Sequence, residues 1–368
     1  MSLSINEKKA RGPEIKVIGV GGGGCNALEE MISSGSSGIS FIAANTDAQA
    51  LRGSSGGMRI QLGESLTRGL GAGGNPATAR EAAESDSEKI RELVSGSDIL
   101  FIAAGFGGGT GTGAAPVIAR ESRSMGILTV GVVTRPFRFE GRKKEKRAQA
   151  GIEELSRYSD TLLVIPNQKI FSIINREASS LEAFRKADEV LSRAVSSISD
   201  ILSKTGRKTL VNVDFADIRG IMQDSGNAIL GLGSGSGEGR ALDAVTEAVT
   251  SPLLDDLSIA GARGLIVNIR GPANLGFREV KQAMEYIKES VAPDAEIYFG
   301  LVTDERMNPE DLKVAVIATG CMKREEQLYF RNFRSIKPPE KKAPEKFPAY
   351  LRKHRFPRTR GQEGESGK

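Results

Sequence analysis

The stretch A-G-F-G-G-G-T-G-T-G-A-A-P occupies residues 104–116. It follows an apolar run at residues 98–104 that is typical of a buried strand, and it precedes residues 114–122, which have helical composition. Pro116 is expected near the first turn of that helix, where proline is tolerated. Six glycines between residues 105 and 113 allow the backbone to approach a ligand closely, and the helix N-terminus adds partial positive charge. Because linkers do not separate a buried strand from an amphipathic helix, the pattern predicts a phosphate-binding loop, to which Thr110 and Thr112 add hydroxyl groups.

Length and composition indicate a globular protein of roughly two domains at ~150 residues each. The 368 residues are 39% hydrophobic and 26% charged. No apolar run approaches the ~20 residues that cross a membrane, and the polar residues 1–13 show no secretory signal. Two cysteines, Cys25 and Cys321, cannot form a disulfide framework, so we expect a reducing cytoplasm.

The net charge of +5 is unevenly distributed. Residues 322–368 carry 14 Lys and Arg against 6 Asp and Glu, a local charge of +8 that leaves −3 on the rest of the chain. A mildly acidic body with a basic tail does not predict a nucleic-acid partner. The single histidine, His354, lies in the tail, which excludes histidine triads and multi-histidine metal sites from the body.

A second glycine run follows the first predicted strand, at residues 14–20, and precedes a helix predicted at residues 27–32. Residues 19–24 satisfy G-x-G-x-x-G, so a nicotinamide dinucleotide is an alternative ligand. Cys25 lies at the start of this helix, either as a nucleophile or as a small side chain beside phosphate. Without a histidine base, the second interpretation is favoured.

Further strands and helices alternate through the first half of the chain. Strands are predicted at residues 39–44, 127–133 and 161–166, and a third glycine-rich loop at residues 68–76 precedes a helix at residues 77–94. This alternation predicts a doubly wound α/β sheet. The three glycine segments would then meet at the carboxyl ends of the strands, where one ligand could bind them all.

The longest helical pattern covers residues 180–203. Apolar residues at three- and four-residue spacing predict a buried stripe that includes Phe184, Ala187, Leu191 and Ile198. Asp188 follows Phe184 by four residues and shares its face. The pair is either a surface carboxylate beside a core phenylalanine or a clamp for guanine, whose N1–H and exocyclic amine a carboxylate accepts.

The last part of the body predicts a second α/β unit. Asp214 and Asp217 share a helix face if the helix begins near Asp214, and they serve either as capping groups or as functional acids. A glycine-rich stretch from Asn227 leads to helices at residues 240–250 and 276–291, with strands at residues 264–269, 296–300 and 312–318.

Several separated segments together resemble the tubulin/FtsZ family. They are G-V-G-G-G-G-C-N at residues 19–26, N-T-D-A-Q-A-L at 45–51, G-A-G-G-N-P at 71–76, G-G-G-T-G-T-G at 107–113, P-F-R-F-E-G-R-K-K at 136–144, F-R-K-A-D at 184–188, N-V-D-F-A-D-I-R at 212–219 and S-P-L-L at 251–254. The resemblance covers residues 14–320 and returns in the tail. It implies a Rossmann-like GTPase domain with a parallel sheet, a long central helix and a smaller α/β domain with a mixed sheet.

The resemblance also implies a set of nucleotide contacts. GTP or GDP would be held by Gly22, Gly23, Gly24, Cys25, Asn26, Asn45, Gly71, Ala72, Gly73, Gly74, Gly107, Gly108, Gly109, Thr110, Gly111, Thr112, Gly113, Glu140, Lys144, Asn167, Phe184 and Asp188. Lys144 replaces the arginine common in the family, which keeps the charge and loses a bidentate donor. Asn212, Asp214 and Asp217 would be catalytic in the nucleotide site of the next subunit, with Mg²⁺ held mainly by the phosphates.

The implied function is a GTP-hydrolysing protein that polymerises head-to-tail into the division (Z) ring, in the cytoplasm at the inner face of the membrane. Its tail peptide, around Pro348–Arg352, would bind membrane-tethering and regulatory division proteins such as FtsA, although K-F at residues 346–347 departs from the family pattern. The alternatives are a nicotinamide-dependent oxidoreductase and a tubulin-like regulator that does not hydrolyse nucleotide.

The expected organisation has six parts. They are a disordered extension at residues 1–13, a GTP-binding domain at 14–180, a central helix at 181–204, a polymerisation domain at 205–320, a flexible linker at 321–346 and a basic partner-binding tail at 347–368.

Overall fold

The computed structural model describes residues 12–36, 38–55, 57–174, 177–202, 208–211, 213–254 and 259–321. Its strands are β1 (Ile15–Val20), β2 (Ile39–Asn45), β3 (Met58–Gln61), β4 (Ile99–Gly105), β5 (Leu128–Arg135), β6 (Thr161–Pro166), β7 (Lys208–Val211), β8 (Gly226–Ser236), β9 (Gly264–Gly271), β10 (Glu296–Thr303) and β11 (Asp311–Thr319). Its helices are α1 (Gly21–Ser33), α2 (Ala48–Arg52), α3 (Glu64–Thr67), α4 (Pro76–Ser85), α5 (Ser87–Val94), α6 (Thr110–Ser124), α7 (Arg142–Leu155), α8 (Asn167–Ile170), α9 (Ser180–Leu202), α10 (Phe215–Met222), α11 (Arg240–Val249) and α12 (Phe277–Ser290).

The described strands form one sheet in the order β3-β2-β1-β4-β5-β6-β8-β11-β9-β10-β7. The pairs from β3 through to β8 are all parallel. Beyond β8 the sheet is mixed: β11 is antiparallel to β8 and β9, β9 is parallel to β10, and β10 is antiparallel to β7. The predicted α/β class with a mostly parallel sheet is confirmed.

Helices cover both faces of the parallel half of the sheet. Val17 and Phe101 pack in one hydrophobic cluster with α1 and α9, whereas Ile18 and Ile102 pack in a second cluster with α4, α5 and α6. Because both faces are buried, β1 and β4 are continuous apolar runs, which is why their positions were readable from the sequence.

Two helices begin earlier than predicted, inside the glycine segments. α1 begins at Gly21 instead of residue 27, and α6 begins at Thr110 instead of residue 114. Glycine costs about 1 kcal/mol in a helix interior, so propensity alone argued for a loop. As a consequence Pro116 lies in the interior of α6, not in its first turn, where its ring removes the hydrogen bond to the carbonyl of Thr112.

The helix predicted at residues 77–94 is divided into α4 and α5 at Asp86. The Asp86 carboxylate is buried and accepts hydrogen bonds from the Gly63 backbone N–H at 2.7 Å and the Lys89 ammonium at 2.6 Å. The break is therefore held by a tertiary contact to Gly63. The apolar residues of the sequence keep their helical spacing across Asp86, so this spacing does not reveal the break.

β8 was not predicted, because residues 226–236 are rich in glycine, which is unfavourable in strands. The strand exists because α11 lies directly on it. A Cβ on Gly231, Gly233 or Gly235 would lie within 2.1 Å of a backbone carbonyl oxygen of α11. Alternating glycines thus present a flat face to the helix. The short strands β3 and β7 were also not predicted.

The buried stripe of α9 is observed with one correction. Ala187, Leu191 and Ile198 are buried, but Phe184 is 43% exposed, so its assignment to the stripe was wrong. Phe184 lies edge-on to Phe137, with ring centroids 5.3 Å apart. None of the helices in the described ranges, α9 included, has the length and apolarity to cross a bilayer.

We predict that Gly233→Ala destabilises the protein by about 1–3 kcal/mol, because the added methyl overlaps the backbone of α11. Gly220→Ala is the matched control, since a Cβ at Gly220 of α10 meets nothing within 4 Å and alanine is the better helix former. Urea midpoints measured by far-UV circular dichroism test this. Equal effects of the two substitutions would contradict the packing argument.

Candidate functional site

The candidate site lies at the carboxyl edge of the parallel strands. β1 pairs with β2 on one side and β4 on the other, so that Val20 is in register with both Ala44 and Ala104. The helix after β1 covers one face of the sheet and the helix after β4 covers the other. A crevice opens where the connections diverge in this way, and it is the usual ligand position in doubly wound sheets.

The structure brings the three glycine segments together at this crevice. A Cβ on Gly21 would lie 3.2 Å from the Cβ of Thr110, which joins the start of α1 to the start of α6. A Cβ on Gly109 would lie 3.0 Å from the Cβ of Ala72, which adds the third segment. The hydroxyl oxygens of Thr46 and Thr110 are 2.7 Å apart and tie β2 to α6.

The predicted ligand glycines differ in their surroundings. At Gly22, Gly73 and Gly108 an added Cβ would meet nothing within 4 Å, so these residues border open space. Gly73 has φ of +58° and Gly107 has φ of +105°, in the region that favours glycine. Gly22, Gly73 and Gly108 leave room for a ligand to approach the backbone, whereas a Cβ on Gly107 would lie 3.1 Å from the carbonyl oxygen of Lys144.

Other predicted ligand glycines are packed against backbone. A Cβ would lie 2.2 Å from a carbonyl oxygen at Gly24, 2.5 Å at Gly111 and 2.1 Å at Gly113. Because these residues have no side chain, α1 and α6 pack directly against neighbouring backbone. Gly23 is intermediate: its Cβ would lie 3.5 Å from Gly105. The Gly113 N–H is itself bonded to the Gly109 carbonyl at 2.9 Å, so this residue serves packing.

Three polar residues predicted at the site are engaged within the protein. The Thr112 hydroxyl accepts a hydrogen bond from the Gly107 N–H at 2.9 Å, and Asn45, which is buried, accepts one from the Asp47 N–H at 3.2 Å. The Cys25 thiol donates to the carbonyl of Gly19 at 3.7 Å, and burial raises its pKa to about 11. Such a thiol is protonated at neutral pH, which favours the small-residue interpretation over the nucleophile.

Asp188 lies beside α1 and is partly buried. Its Oδ2 accepts a hydrogen bond from the Asn26 side chain at 3.4 Å. Burial raises its pKa from 3.8 to about 6. The observed pair is therefore the reverse of a surface carboxylate beside a core phenylalanine. The Phe184 ring is half-exposed, and the Asp188 carboxylate is the desolvated group. A partly buried carboxylate with one long hydrogen bond has unused acceptor capacity.

The ribose-side candidates lie after β5 and β6. Glu140 accepts from the Phe137 N–H at 2.9 Å through one oxygen and pairs with Lys144 at 2.9 Å through the other. Asn167 follows β6 and is 7% exposed, and its Oδ1 has no hydrogen-bond partner among the described residues. An unpaired buried acceptor is costly and would be satisfied by a donor on a ligand.

Sequence reasoning missed two features of the site. One is Thr46, whose hydroxyl contacts Thr110 across the crevice. The other is an aromatic cluster in which Phe137 contacts Phe139, Phe171 and Phe184 at centroid distances of 5.1 to 5.3 Å. The P-F-R-F sequence after β5 was a signal for it, because two aromatics directly after a buried strand end lie at the same edge.

The predicted catalytic acids lie elsewhere in the chain. Asp214 caps α10 without a side-chain capping hydrogen bond, and Asp217 is in its first turn. The same helix is tied to the amino edge of the sheet: Arg219 donates to the Gly126 carbonyl at 3.0 Å, and the Met222 carbonyl accepts from Thr161 at 2.5 Å. α10 is thus anchored where β5 and β6 begin, whereas the glycine segments lie where strands end. Asn212 is outside the described residues.

The fold and the glycine-lined crevice define a doubly wound α/β protein of the nucleotide-binding class. Residues 14–175 match the model of the tubulin/FtsZ family GTPase domain, and residues 226–322 match that of the FtsZ family C-terminal domain. The chain belongs to the tubulin/FtsZ family.

Individual relatives agree with this assignment. The chain is 50% identical over 308 residues to the cell division protein FtsZ of Bartonella bacilliformis; the match covers 84% of this chain and spans about half (51%) of that relative. The solved empty FtsZ dimer from M. jannaschii is 41% identical, with a TM-score of 0.80 over 85% of this chain and 89% of that one. CetZ1 from Haloferax volcanii, solved as a GDP-bound monomer, shares the fold at 20% identity, with a TM-score of 0.71 over 88% of this chain and 100% of that one.

We predict that Asp188→Asn stabilises the nucleotide-free protein at pH 8, by on the order of 2 kcal/mol. The pKa is raised on folding, so the ionised form is disfavoured in the folded state; this cost is present above pH 6 and disappears as the pH falls towards 4. Unfolding midpoints between pH 4 and pH 8 measure it. The exposed Asp294→Asn controls for loss of a negative charge, and an advantage of Asp188→Asn that does not change with pH would refute the argument.

Proposed function

We propose that this chain binds and hydrolyses GTP and polymerises head-to-tail into filaments of the division ring. The observation that carries the proposal is the separation of the two candidate half-sites. The glycine segments lie at the carboxyl edge of the parallel strands, and α10, with Asp214 and Asp217, is anchored at the amino edge. One subunit would bind the nucleotide and the next would supply the acids.

In the proposed complex the phosphates lie on the N-termini of α1 and α6 and on the loop at residues 71–74. Exposed N–H groups and the two helix dipoles favour negative charge there. The guanine lies beside Phe184, and Asp188 accepts from its N1–H and amine. Adenine lacks that donor pair, so Asp188 selects for guanine. The sugar would contact Asn167, whose Oδ1 has no partner among the described residues, and the Glu140–Lys144 pair.

The glycine segments themselves provide no general base. Asp47 lies beside Gly71, but its Oδ1 accepts from the backbone N–H groups of Gln49 and Ala50 and is engaged as a helix cap. Hydrolysis requires a positioned water and neutralised charge. Asp214 and Asp217 of a neighbouring subunit would position that water, with Asn212 beside them.

Mg²⁺ is proposed to be held mainly by phosphate oxygens and water. Among the described residues, no three His, Cys, Asp or Glu side chains form a metal site. The backbone N–H groups of the crevice cannot coordinate a cation. Mg²⁺ prefers oxygen ligands, so phosphate oxygens are suited to hold it. The bound ion would neutralise charge on the transferred phosphoryl group.

Head-to-tail contact between different surfaces repeats without closing and generates an open filament. The solved M. jannaschii relative is a dimer, and the Bartonella relative is a cell division protein, which supports assembly and a role in division for this chain. Hydrolysis at such a joint would weaken the contact that completed it.

The domain organisation remains part of the proposal: a GTP-binding domain at residues 14–180, a central helix at 181–204 and a polymerisation domain at 205–320. We further propose that the tail around Pro348–Arg352 binds a tethering protein such as FtsA at the cytoplasmic face of the membrane. Residues 1–11 and 322–368 lie outside the described residues.

We predict that Asp217→Ala retains GTP binding and lowers GTP turnover by about a hundredfold or more, because it removes a water-orienting acid. Asp224→Ala, which removes an exposed carboxylate after the same helix, is the control and keeps turnover. Phosphate release and equilibrium binding of labelled GTP separate the two steps. Unchanged turnover in Asp217→Ala would eliminate the shared-site mechanism.

Mixing two inactive variants tests sharing directly. Asp217→Ala keeps the nucleotide crevice, and Asp188→Ala keeps the acids. In an equal mixture about a quarter of random head-to-tail junctions join an intact crevice to intact acids, so activity should reappear. If the mixture stays as inactive as its components, the two half-sites do not belong to different subunits.

We also predict that GTPase activity per molecule rises with protein concentration through a threshold, since the site is complete only at a junction. Phosphate release across a dilution series, with light scattering recorded on the same samples, measures this. Constant activity per molecule at every dilution would indicate a site contained in one subunit.

A further inference from the structure

A second polar cleft lies away from the glycine segments, between α9 and the mixed part of the sheet. It has a volume of about 220 Å³ and is bordered by α9, β9, β11 and the C-terminal end of α1. Pockets for drug-sized ligands usually exceed ~300 Å³, so this cleft is suited to a smaller molecule.

Two cations face each other across the floor of this cleft. Arg270 of β9 and Lys313 of β11 are direct partners in the antiparallel register, and Arg193 of α9 lines the same cleft. Like charges directly opposite each other on a sheet are destabilising. Lys313 is an exposed residue, and partial desolvation of its ammonium, followed by the nearby charges of Arg193 and Arg270, lowers its pKa.

Arg193 and Arg270 are each within ion-pair distance of a carboxylate. Glu189 pairs with Lys186 at 2.8 Å and with Arg193 at 3.9 Å, and Asp304 pairs with Arg270. Within the described ranges, Lys313 has no carboxylate at ion-pair distance. The cleft therefore contains one cation without a partner beside two whose carboxylates are already engaged.

Two further carboxylates, Glu30 and Asp200, also line the cleft. With Glu189 they equal the three cations of the lining in number, so the cleft as a whole is not positively charged and an anion is favoured only directly beside Lys313.

Two polar groups of the cleft residues also lack partners. Asn268 is 4% exposed and donates to the Ser197 carbonyl at 2.8 Å, but its Oδ1 has no hydrogen-bond partner among the described residues. The buried Ser196 hydroxyl oxygen has none either. Asn268 precedes Arg270 by two residues and so shares its face of the sheet. Hydroxyl groups on a ligand would satisfy both.

We propose that this cleft binds a small phosphorylated polyol. The phosphate lies between Lys313, Arg270 and Arg193, and the hydroxyl groups reach Asn268 Oδ1 and Ser196 Oγ. A dianion relieves the repulsion between the cross-strand cations and links α9 to β9 and β11. This site is independent of the proposed GTPase activity.

The test uses the full chain saturated with GDP and glycerol 3-phosphate as the probe. The melting temperature is measured against probe concentration, with chloride adjusted to hold the ionic strength constant. We expect a saturable rise in melting temperature. Lys313→Ala should weaken the apparent affinity by about tenfold or more, because it removes a charged hydrogen bond. Lys313→Arg should retain binding, and so should Lys281→Ala, which removes an exposed lysine of α12.

Three results would overturn the proposal. If chloride alone raises the melting temperature equally, salt merely screens the cations. A rise retained in Lys313→Ala places the anion elsewhere, including on the glycine segments. Inorganic phosphate should bind about threefold to tenfold more weakly than glycerol 3-phosphate, because it offers no hydroxyl to the two orphan groups. Equal affinity of the two probes would rule out the polyol.

Discussion

The geometry of the glycine-lined crevice depends on the close contact of two helix N-termini with the end of β4. A Cβ on Gly24 would lie 2.2 Å from the carbonyl oxygen of Ala103, and one on Gly111 would lie 2.5 Å from that of Gly105. No side chain fits at either contact. Because α1 and α6 are seated this deeply, their N–H groups converge on one crevice instead of two separate surfaces. The same contact fixes the position of Thr110, which meets Thr46 across the opening.

Recognition of the base would rest on a carboxylate that is costly to keep charged. Asp188 is desolvated beside Asn26, and its pKa is raised by burial. The fold thus maintains an acceptor whose best available partners are donors on a ligand. Asn167 is a neutral example of the same feature, because its buried Oδ1 has no hydrogen-bond partner in the described part of the chain. In both cases local stability is lower in the free protein than a fully satisfied site would allow, as is usual for binding residues.

The separation of the half-sites connects structure to assembly. α10 is fastened to the amino edge of the sheet by Arg219 and Met222, so Asp214 and Asp217 belong to the edge opposite the crevice. A parallel sheet has chemically distinct edges, and translating one copy onto the next brings opposite edges together. If the proposed mechanism is correct, hydrolysis and polymerisation are properties of the same contact.

The sequence alone determined the apolar strands, their alternation with helices, the three glycine segments and the family, because buried parallel strands and phosphate-type loops leave local patterns. It did not determine where α1 and α6 begin or that residues 226–236 form a strand, because there glycine serves packing and opposes local propensity. It also did not determine that Phe184 is half-exposed while Asp188 is desolvated. Burial is decided by what packs against a residue, and those partners lie in distant parts of the chain. The opposite placement of the acids and the crevice likewise follows only from sheet topology.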